Sequence, residues 1–205
     1  MLATVIVAVA IAVSQGGADD DEDPAPPQRV EAIAQDGVWL GDPNAPATLI
    51  EFADLQCPFC ANFATGELPG VIDSYVRDGR LRLELRLMAF IGPDSVSARQ
   101  AAHAAALQDR MWGFTDRFFR NQGPENSGYA TDEFLQQLAR QTPGLDPAQL
   151  TQDLDDPEVE RLSREAESLA RRLQVGGTPS FYLVRDGGQP EAIEIENLGE
   201  ALAGG

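Results

Sequence analysis

Basic side chains are scarce in this sequence. None of its 205 residues is lysine, so all 15 basic side chains are arginine, and 33 acidic side chains give a net charge of −18. The first 36 residues contribute −6 and the other 169 contribute −12, so the acidity is not confined to the N-terminal segment. A nucleic-acid-binding protein needs clustered basic side chains to displace counterions from phosphates. The composition therefore predicts no nucleic-acid partner and no polybasic membrane-binding patch.

Cysteine and histidine are also few. The chain has two cysteines, Cys57 and Cys60, and one histidine, His103. Two cysteines cannot build a framework of several disulfides. A structural zinc site takes four ligands, and these three side chains would need a carboxylate to complete it. We expect neither a disulfide scaffold nor a bound metal.

The sequence lacks an apolar run of about 20 residues, the length that a transmembrane helix needs. Its longest run, residues 1–13, has the length of the apolar part of a secretory signal, although no Lys or Arg precedes it. No cysteine lies near its end, which excludes a bacterial lipoprotein anchor. The alternative is a buried strand or helix. We predict a signal peptide or N-terminal membrane anchor, and an extracytoplasmic protein that is membrane-anchored by this segment or secreted after cleavage.

Residues 14–36 have the composition of a linker. They combine glycine and proline with five consecutive acidic residues at 19–23. Such a segment buries too little apolar surface to offset the entropy of ordering it, and its like charges keep it extended. We predict an acidic, disordered spacer over residues 14–36, followed by a folded domain over residues 37–205.

The first part of the predicted domain reads as strand, helix, strand. Residues 47–53 are mostly apolar and predict a short buried strand. Pro58 suits the first turn of the helix that follows, because its missing N–H has no partner there in any case. Residues 80–87 alternate leucine with charged side chains, which predicts a strand with one face in solvent.

The second part is predominantly helical. Apolar residues recur with helical spacing from about residue 94 to residue 173, and Ser95, Thr131 and Asp156 are expected to cap helices there. Two strands are then predicted, at 178–184 and 191–196, joined by a turn at Asp186-Gly187-Gly188. The order indicates an α/β domain with a helical segment inserted before a C-terminal β-hairpin.

Cys57 and Cys60 are three residues apart at the predicted junction of a strand and a helix. A helix N-terminus presents unpaired N–H groups and the positive end of the helix dipole, which stabilise a thiolate. We predict a redox pair in which Cys57 is the exposed nucleophile and Cys60, one turn further, is the shielded resolving thiol. The alternatives are half of a zinc site and two inert core thiols.

A second motif agrees with this prediction. Gly177, Thr178 and Pro179 follow a helix and precede a strand about 120 residues after the cysteines. A proline is tolerated where a strand begins because it has no N–H to pair. A cis bond before Pro179 would bring the Thr178 backbone beside the sulfurs, where its N–H and C=O could pair with an extended substrate. The alternative is an ordinary trans proline at an edge strand.

Three segments, in this order, carry a family resemblance: FADLQCPFCANF, MWGFTDRFFRNQ and QVGGTPSFYLV. Together they resemble the DsbA-like thiol–disulfide oxidoreductases of the thioredoxin superfamily, especially exported bacterial members with a CPFC centre. The resemblance implies a thioredoxin fold with a helical domain inserted between its βα half and its C-terminal β-hairpin. It also implies a Cys57–Cys60 redox centre and a cis bond before Pro179.

The resemblance further assigns Glu51, six residues before Cys57, to an acidic position beneath the resolving cysteine that assists proton transfer. The alternative is a solvent-facing strand residue. The pair between the cysteines, Pro58-Phe59, departs from the Pro-His of the best-known strong oxidant of the family, so the redox potential stays open over a range of roughly −270 to −120 mV. His103 matches no family site and is predicted to lie on a helix face.

The sequence thus predicts a cofactor-free thiol–disulfide oxidoreductase that forms or exchanges disulfides in cysteine-containing exported proteins. Cys57, Cys60 and Glu51 are the predicted catalytic residues, and Thr178, Pro179, Pro58 and Phe59 the predicted substrate-binding residues. A membrane redox partner is expected to reset the cysteine pair. The alternatives are a disulfide reductase or isomerase of the same fold, and a non-catalytic thioredoxin-fold binding module, against which the presence of both cysteines argues.

Overall fold

One six-stranded mixed sheet organises the fold. The computed structural model describes residue 30 and residues 32–203. The order of strands across the sheet is β1-β2-β4-β3-β5-β6, with β3 parallel to β4 and antiparallel to β5. The strands are β1 (Gln35–Asp36), β2 (Trp39–Leu40), β3 (Ala47–Asp54), β4 (Leu81–Met88), β5 (Ser180–Arg185) and β6 (Glu191–Ile193).

The helices fall into three groups along the chain. The first, α1, begins with Pro58–Asn62 and continues through Phe63–Glu67 (π-helical), Leu68–Val71 and Ile72–Val76 (π-helical). A helical insertion follows, with α2 (Pro93–Ala106), α3 (Met111–Arg120), α4 (Asp132–Gln141), α5 (Pro147–Asp153) and α6 (Pro157–Leu173). A short 3₁₀ turn (Ile195–Asn197) leads into α7 (Leu198–Ala203). This is a thioredoxin-like fold whose helical insertion lies between the βα half and the C-terminal hairpin, as predicted.

The two faces of the sheet pack against different helices. On one face, leucines of β3 and β4 join a large core with α1 and most of the helical insertion. On the other face, Ile50, Phe52 and Met88 pack against Ala166 and Ala170 of α6. Alternation along β3 places Glu51 on the same face as Leu49 and Ala53, which belong to the larger core.

The prediction that β4 has one face in solvent was wrong. Glu84 is 4% exposed, because α6 covers this face of the strand. Arg86 forms ion pairs with Glu84 and with Glu165 of α6, the latter at 3.6 Å. The alternation of leucine with charge therefore reflects an ion-paired contact between strand and helix, not exposure to water.

The predicted boundary between linker and domain was also wrong. β1 lies within the segment predicted as linker, and it pairs with β2 antiparallel, Gln35 opposite Leu40. Val30 is 4% exposed and belongs to the main core. The fold therefore starts before Gly37, because these residues gain a strand partner and buried apolar contacts that composition does not reveal. The predicted signal or anchor over residues 1–13 and most of the predicted linker lie outside the described residues.

Helix caps were predicted with mixed success. Thr131 accepts a hydrogen bond from the Phe134 N–H and Asp156 accepts one from Glu158, as N-caps do. The Ser95 prediction was wrong, because α2 begins at Pro93 and the Ser95 hydroxyl donates to the Asp54 carboxylate at 2.6 Å. The second hairpin strand is also shorter than predicted, because a 3₁₀ turn begins at Ile195.

Within the part of the chain that the structure covers, no helix is both long and apolar enough to span a bilayer.

Candidate active site

Cys57 lies at the N-terminus of α1, directly after β3. Its N–H donates to the Asp54 carbonyl at 2.9 Å, which closes a turn between strand and helix. Cys57 takes the N-cap position with extended backbone angles (φ −72°, ψ 120°), and Pro58 starts the helix as predicted. Its Sγ donates to the Thr178 carbonyl at 3.2 Å. The turn therefore brings the Cys57 sulfur against a backbone segment 121 residues away in the chain.

Cys60 lies one helical turn further and is more deeply enclosed. Its exposure is 0%, against 5% for Cys57, and both cysteines are free thiols. Burial raises the pKa of the Cys60 thiol well above its usual range, and the nearby Glu51 carboxylate raises it further. Cys60 is therefore strongly biased toward its protonated form. Cys57 is the less buried of the two thiols, but the prediction that it is exposed was wrong, because its sulfur is covered by the Thr178 segment.

Glu51 is a buried carboxyl on β3, on the face that packs against α1. It is 4% exposed, and its Oε1 atom has no hydrogen-bond partner. Burial raises its pKa from 4.5 to about 8, so the side chain is mostly protonated at neutral pH. Its charge also acts on the Cys60 thiol. The position is the buried one that the resemblance implied, and the solvent-facing alternative is excluded.

Thr178 and Pro179 form the other wall of the site. The peptide bond between them is cis, as the resemblance implied. β5 starts at Ser180, and Ser180 lies opposite Phe52 of β3 in the sheet. A surface depression starts at Pro179 and runs along β5 to β6 and the 3₁₀ turn that follows it.

The two residues between the cysteines face outward. Pro58 and Phe59 are both exposed, and Phe59 is exposed to 69%, the highest value among the large apolar side chains of the described chain. A second exposed aromatic, Phe90, is 52% exposed, and its N–H donates to the Asp54 carboxylate. Apolar surface therefore lies close to the reactive turn.

His103 lies away from the cysteines, inside the helical insertion. It is 1% exposed, and its Nδ1 is 3.0 Å from the Ser163 hydroxyl of α6. Burial, reinforced by Arg99 and Arg86, lowers its pKa to about 3, so the ring is neutral over the physiological range. It is a buried packing residue on a helix face that meets α6. Among the described residues no group of three His, Cys, Asp or Glu side chains could hold a metal ion.

Sequence reasoning missed a group of polar side chains behind the reactive turn. The Asp54 carboxylate accepts hydrogen bonds from the Ser95 hydroxyl and from the backbone N–H groups of Gln56, Phe90 and Ile91. Three further members, Ser95, Gln122 and Asn126, come from positions far along the chain. The members of the group are Asp54, Gln56, Ser95, Gln122 and Asn126. A polar residue ending an apolar strand, as Asp54 does, was the one signal available.

Nearly all of the described chain matches a family model. The model described as Thioredoxin matches residues 34–203. A curated relative, the probable disulfide bond formation protein D of Bacillus anthracis, is 31% identical over 147 residues, which are 70% of this chain and 68% of the relative.

Solved structures show the same fold. BdbD from Bacillus subtilis in its oxidised form has a TM-score of 0.72 at 22% identity and covers 84% of this chain and 96% of its own. A thioredoxin-like oxidoreductase from Silicibacter pomeroyi DSS-3 has a TM-score of 0.64 at 30% identity, covering 80% of this chain and 89% of its own.

Proposed function

Because this chain belongs to the thioredoxin family, and is a DsbA-like thiol–disulfide oxidoreductase, we propose that it introduces disulfides into cysteine-containing exported proteins through Cys57 and Cys60. The Bacillus anthracis relative is named for disulfide bond formation, which supports the oxidising direction. One observation carries the proposal. The Cys57 sulfur is the less buried of the two and lies against the Thr178 carbonyl, whereas Cys60 is fully buried and is acted on by the charge of the buried Glu51 carboxyl.

The first step joins substrate and enzyme. In the oxidised protein a substrate thiolate attacks Cys57 Sγ, because this is the sulfur that a large substrate can reach. A bond forms between the substrate sulfur and Cys57, the Cys57–Cys60 bond breaks, and Cys60 leaves with the electron pair. Cys60 then takes up a proton, as its raised pKa favours.

The second step releases the product. Another thiolate of the substrate attacks the substrate sulfur of the mixed disulfide, and Cys57 leaves as a thiolate. The substrate has lost two electrons and two protons, and the cysteine pair has gained two electrons. A membrane redox partner is proposed to accept these electrons and restore the Cys57–Cys60 disulfide.

Glu51 is proposed to supply the proton that Cys60 takes up. Its pKa of about 8 keeps it protonated at neutral pH, and it acts directly on the Cys60 thiol. A proton donor matched to the operating pH is the efficient arrangement for such a transfer. In the reverse direction the same carboxylate would accept the proton from Cys60.

Backbone and apolar surface are proposed to hold the substrate. The Thr178 C=O and N–H would pair with an extended substrate segment, with Pro179 beside it at the head of β5. Exposed Pro58 and Phe59 would contact the residues around the substrate cysteine. These contacts involve main chain and apolar surface, so they suit many sequences.

An extracytoplasmic location is part of the proposal. Residues 1–13 have the length of a signal apolar region, and an acidic, proline-containing segment follows them. Fractionation of cells that make the native protein should find it outside the cytosol, either membrane-bound or cleaved near residues 12–18. Full-length soluble protein in the cytosol would contradict this part of the proposal.

Trapping of mixed disulfides tests the central claim. Cys60→Ser should accumulate covalent complexes with a reduced, unfolded substrate that has a single cysteine, in the presence of oxidised glutathione. Neither a second substrate thiolate nor Cys60 can then attack the mixed disulfide at Cys57. Cys57→Ser should form no complexes and show no exchange. The double variant is the control for non-specific association. Complexes that form on Cys60 in the Cys57→Ser protein would reverse the assigned roles.

The reducing direction is a second candidate, favoured by one observation. Phe59 offers neither charge nor hydrogen bond to a Cys57 thiolate, so it provides no extra stabilisation of the reduced pair. The equilibrium potential of the pair in glutathione buffers decides between the directions. A value near −120 mV indicates an oxidase, and one near −270 mV indicates a reductase.

A further inference from the structure

Gln122 follows α3 in the helical insertion and reaches back to the reactive turn. It is the last residue of the segment MWGFTDRFFRNQ. Its side-chain Nε2 donates to the Leu55 carbonyl at 2.7 Å and to the Cys57 carbonyl at 3.1 Å. One amide group therefore binds two carbonyls of the turn that presents the Cys57 sulfur.

The Cys57 carbonyl also takes part in the first turn of α1. It accepts the Ala61 N–H at 3.1 Å, and the Cys57 N–H donates to the Asp54 carbonyl. The peptide groups on both sides of the Cys57 Cα are thus held in place. When the Cα is held and the side chain takes a staggered rotamer, the Cys57 sulfur can occupy only a few positions. One of these positions is against the Thr178 carbonyl.

The neighbouring residue is held by the same part of the insertion. The Gln56 side chain, fully buried, donates to the Ser95 hydroxyl at 2.9 Å and accepts the Asn126 N–H at 2.6 Å. Gln122 and Asn126 come from one connection between α3 and α4. The reactive turn is therefore attached to the helical insertion on two sides.

The two hydrogen bonds that the Gln122 amide donates go to the Leu55 and Cys57 carbonyls, not to Cys60, Glu51 or Thr178. Because these acceptors are main-chain oxygens of the turn, Gln122 can affect the rate of exchange only by fixing the position of Cys57. Misplacing a reacting atom by about 1 Å can cost about 100-fold in rate.

We propose that Gln122 is a positioning residue for thiol–disulfide exchange, acting from the helical insertion through the Leu55 and Cys57 carbonyls to hold the Cys57 sulfur where substrate meets it. This inference rests on the proposed function of Cys57. It gives the insertion a part in the reaction beyond covering the sheet.

Gln122→Met in the full-length chain tests this directly, because methionine has a similar length and no donor. The assay is oxidation of a dithiol peptide by the preoxidised protein, with kcat and KM measured separately. We expect kcat to fall about tenfold and KM to stay within twofold, since misplacement of Cys57 slows the step without touching the peptide.

Gln108→Met is the matched control. Gln108 is also half-buried in the helical insertion, and its amide also bridges main-chain groups, accepting from the Asp146 N–H at 2.8 Å and donating to the Asp146 carbonyl at 3.2 Å. Gln108→Met should leave kcat within twofold of the parent value. An equal loss in both variants would mean general loosening of the insertion and would overturn the positioning role.

Gln122→Glu gives an independent variant of the same size. It cannot donate, and its carboxylate would face two carbonyl oxygens, so kcat should fall at least as far as in Gln122→Met. Full activity in both Gln122 variants overturns the inference. An active Cys57→Ser protein would instead overturn the proposed function, which keeps the two failures distinct.

A measurement on the unaltered protein does not depend on any variant folding. The side-chain amide resonances of Gln122 and Gln108 can be followed by NMR as the cysteine pair is oxidised. The Gln122 amide should shift, because the carbonyls it binds lie in the turn that carries Cys57 and oxidation changes the bonding of the Cys57 sulfur, and the Gln108 amide should not. A Gln122 amide that is indifferent to oxidation overturns the inference.

Discussion

Replacing Glu51 with glutamine should stabilise the reduced protein, and increasingly so as the pH rises. The folded protein raises the pKa of this buried carboxyl from 4.5 to about 8. The folded state therefore holds the proton more tightly than the unfolded chain. Stability that this group contributes is fully present below pH 4.5 and is lost as the pH rises toward 8.

The size of the effect follows from the shift. Each pH unit between the two pKa values corresponds to about 1.4 kcal/mol, so Glu51 should cost about 3 kcal/mol at pH 7 relative to acid pH, and somewhat under 5 kcal/mol above pH 8. Glutamine has no proton to lose. The stability difference between Glu51→Gln and the parent protein should therefore widen by about 3 kcal/mol between pH 4.5 and pH 7.

Urea unfolding of the reduced protein, followed by the fluorescence of Trp39 and Trp112, measures this difference. Glu67→Gln is the control, because it makes the same change of carboxyl to amide at an exposed position of α1 and leaves the buried Glu51 in place. A difference between Glu51→Gln and the parent that stays constant from pH 4.5 to pH 7 would show that Glu51 ionises freely, and the argument from burial would fail.

The same variant tests the proton transfer. Oxidation of substrate by the parent protein should slow as Glu51 loses its proton near pH 8. Glu51→Gln should be slower at pH 7 and lack that inflection, because glutamine cannot pass a proton to Cys60. An unchanged rate and pH profile would remove Glu51 from the mechanism.

Three further predictions concern individual residues. Iodoacetamide should modify Cys57 well before Cys60 in the reduced protein, as peptide mass mapping would show, because Cys60 is buried and its pKa is raised; faster labelling of Cys60 would reverse the assigned roles. Asp54→Asn should lower the free energy of unfolding by about 2 kcal/mol in urea titrations, since an amide cannot accept all four hydrogen bonds that reach the carboxylate. Asp42 is exposed, so the control variant Asp42→Asn should change the free energy of unfolding little. His103→Gln should make the protein less sensitive to acid. The folded state lowers the pKa of His103 from 6.5 to about 3, so the parent protein loses stability as the pH falls below 6.5, by about 3 kcal/mol at pH 4. Equal acid unfolding curves for the variant and the parent would contradict this.

Much of the site could be predicted from sequence because its parts are local patterns. Two cysteines three apart before a helix that starts with Pro58 define the reactive turn, and Thr178-Pro179 before a strand defines its opposite wall. Each pattern involves a few adjacent residues whose chemistry restricts where they can lie. The order of strands and helices followed in the same way from periodicity and capping residues such as Thr131 and Asp156.

The tertiary structure alone decided which polar residues meet. Glu84 has the sequence pattern of an exposed strand residue, yet α6 covers it, and Ser95 has the pattern of a cap, yet it binds Asp54 across 41 positions. Gln122 has no distinguishing pattern at all until folding brings it to the Cys57 carbonyl, 65 positions away. The physical reason is that a hydrogen bond or a buried face depends on the partner that the chain brings to it. Local spacing determines the elements, and their packing determines those partners.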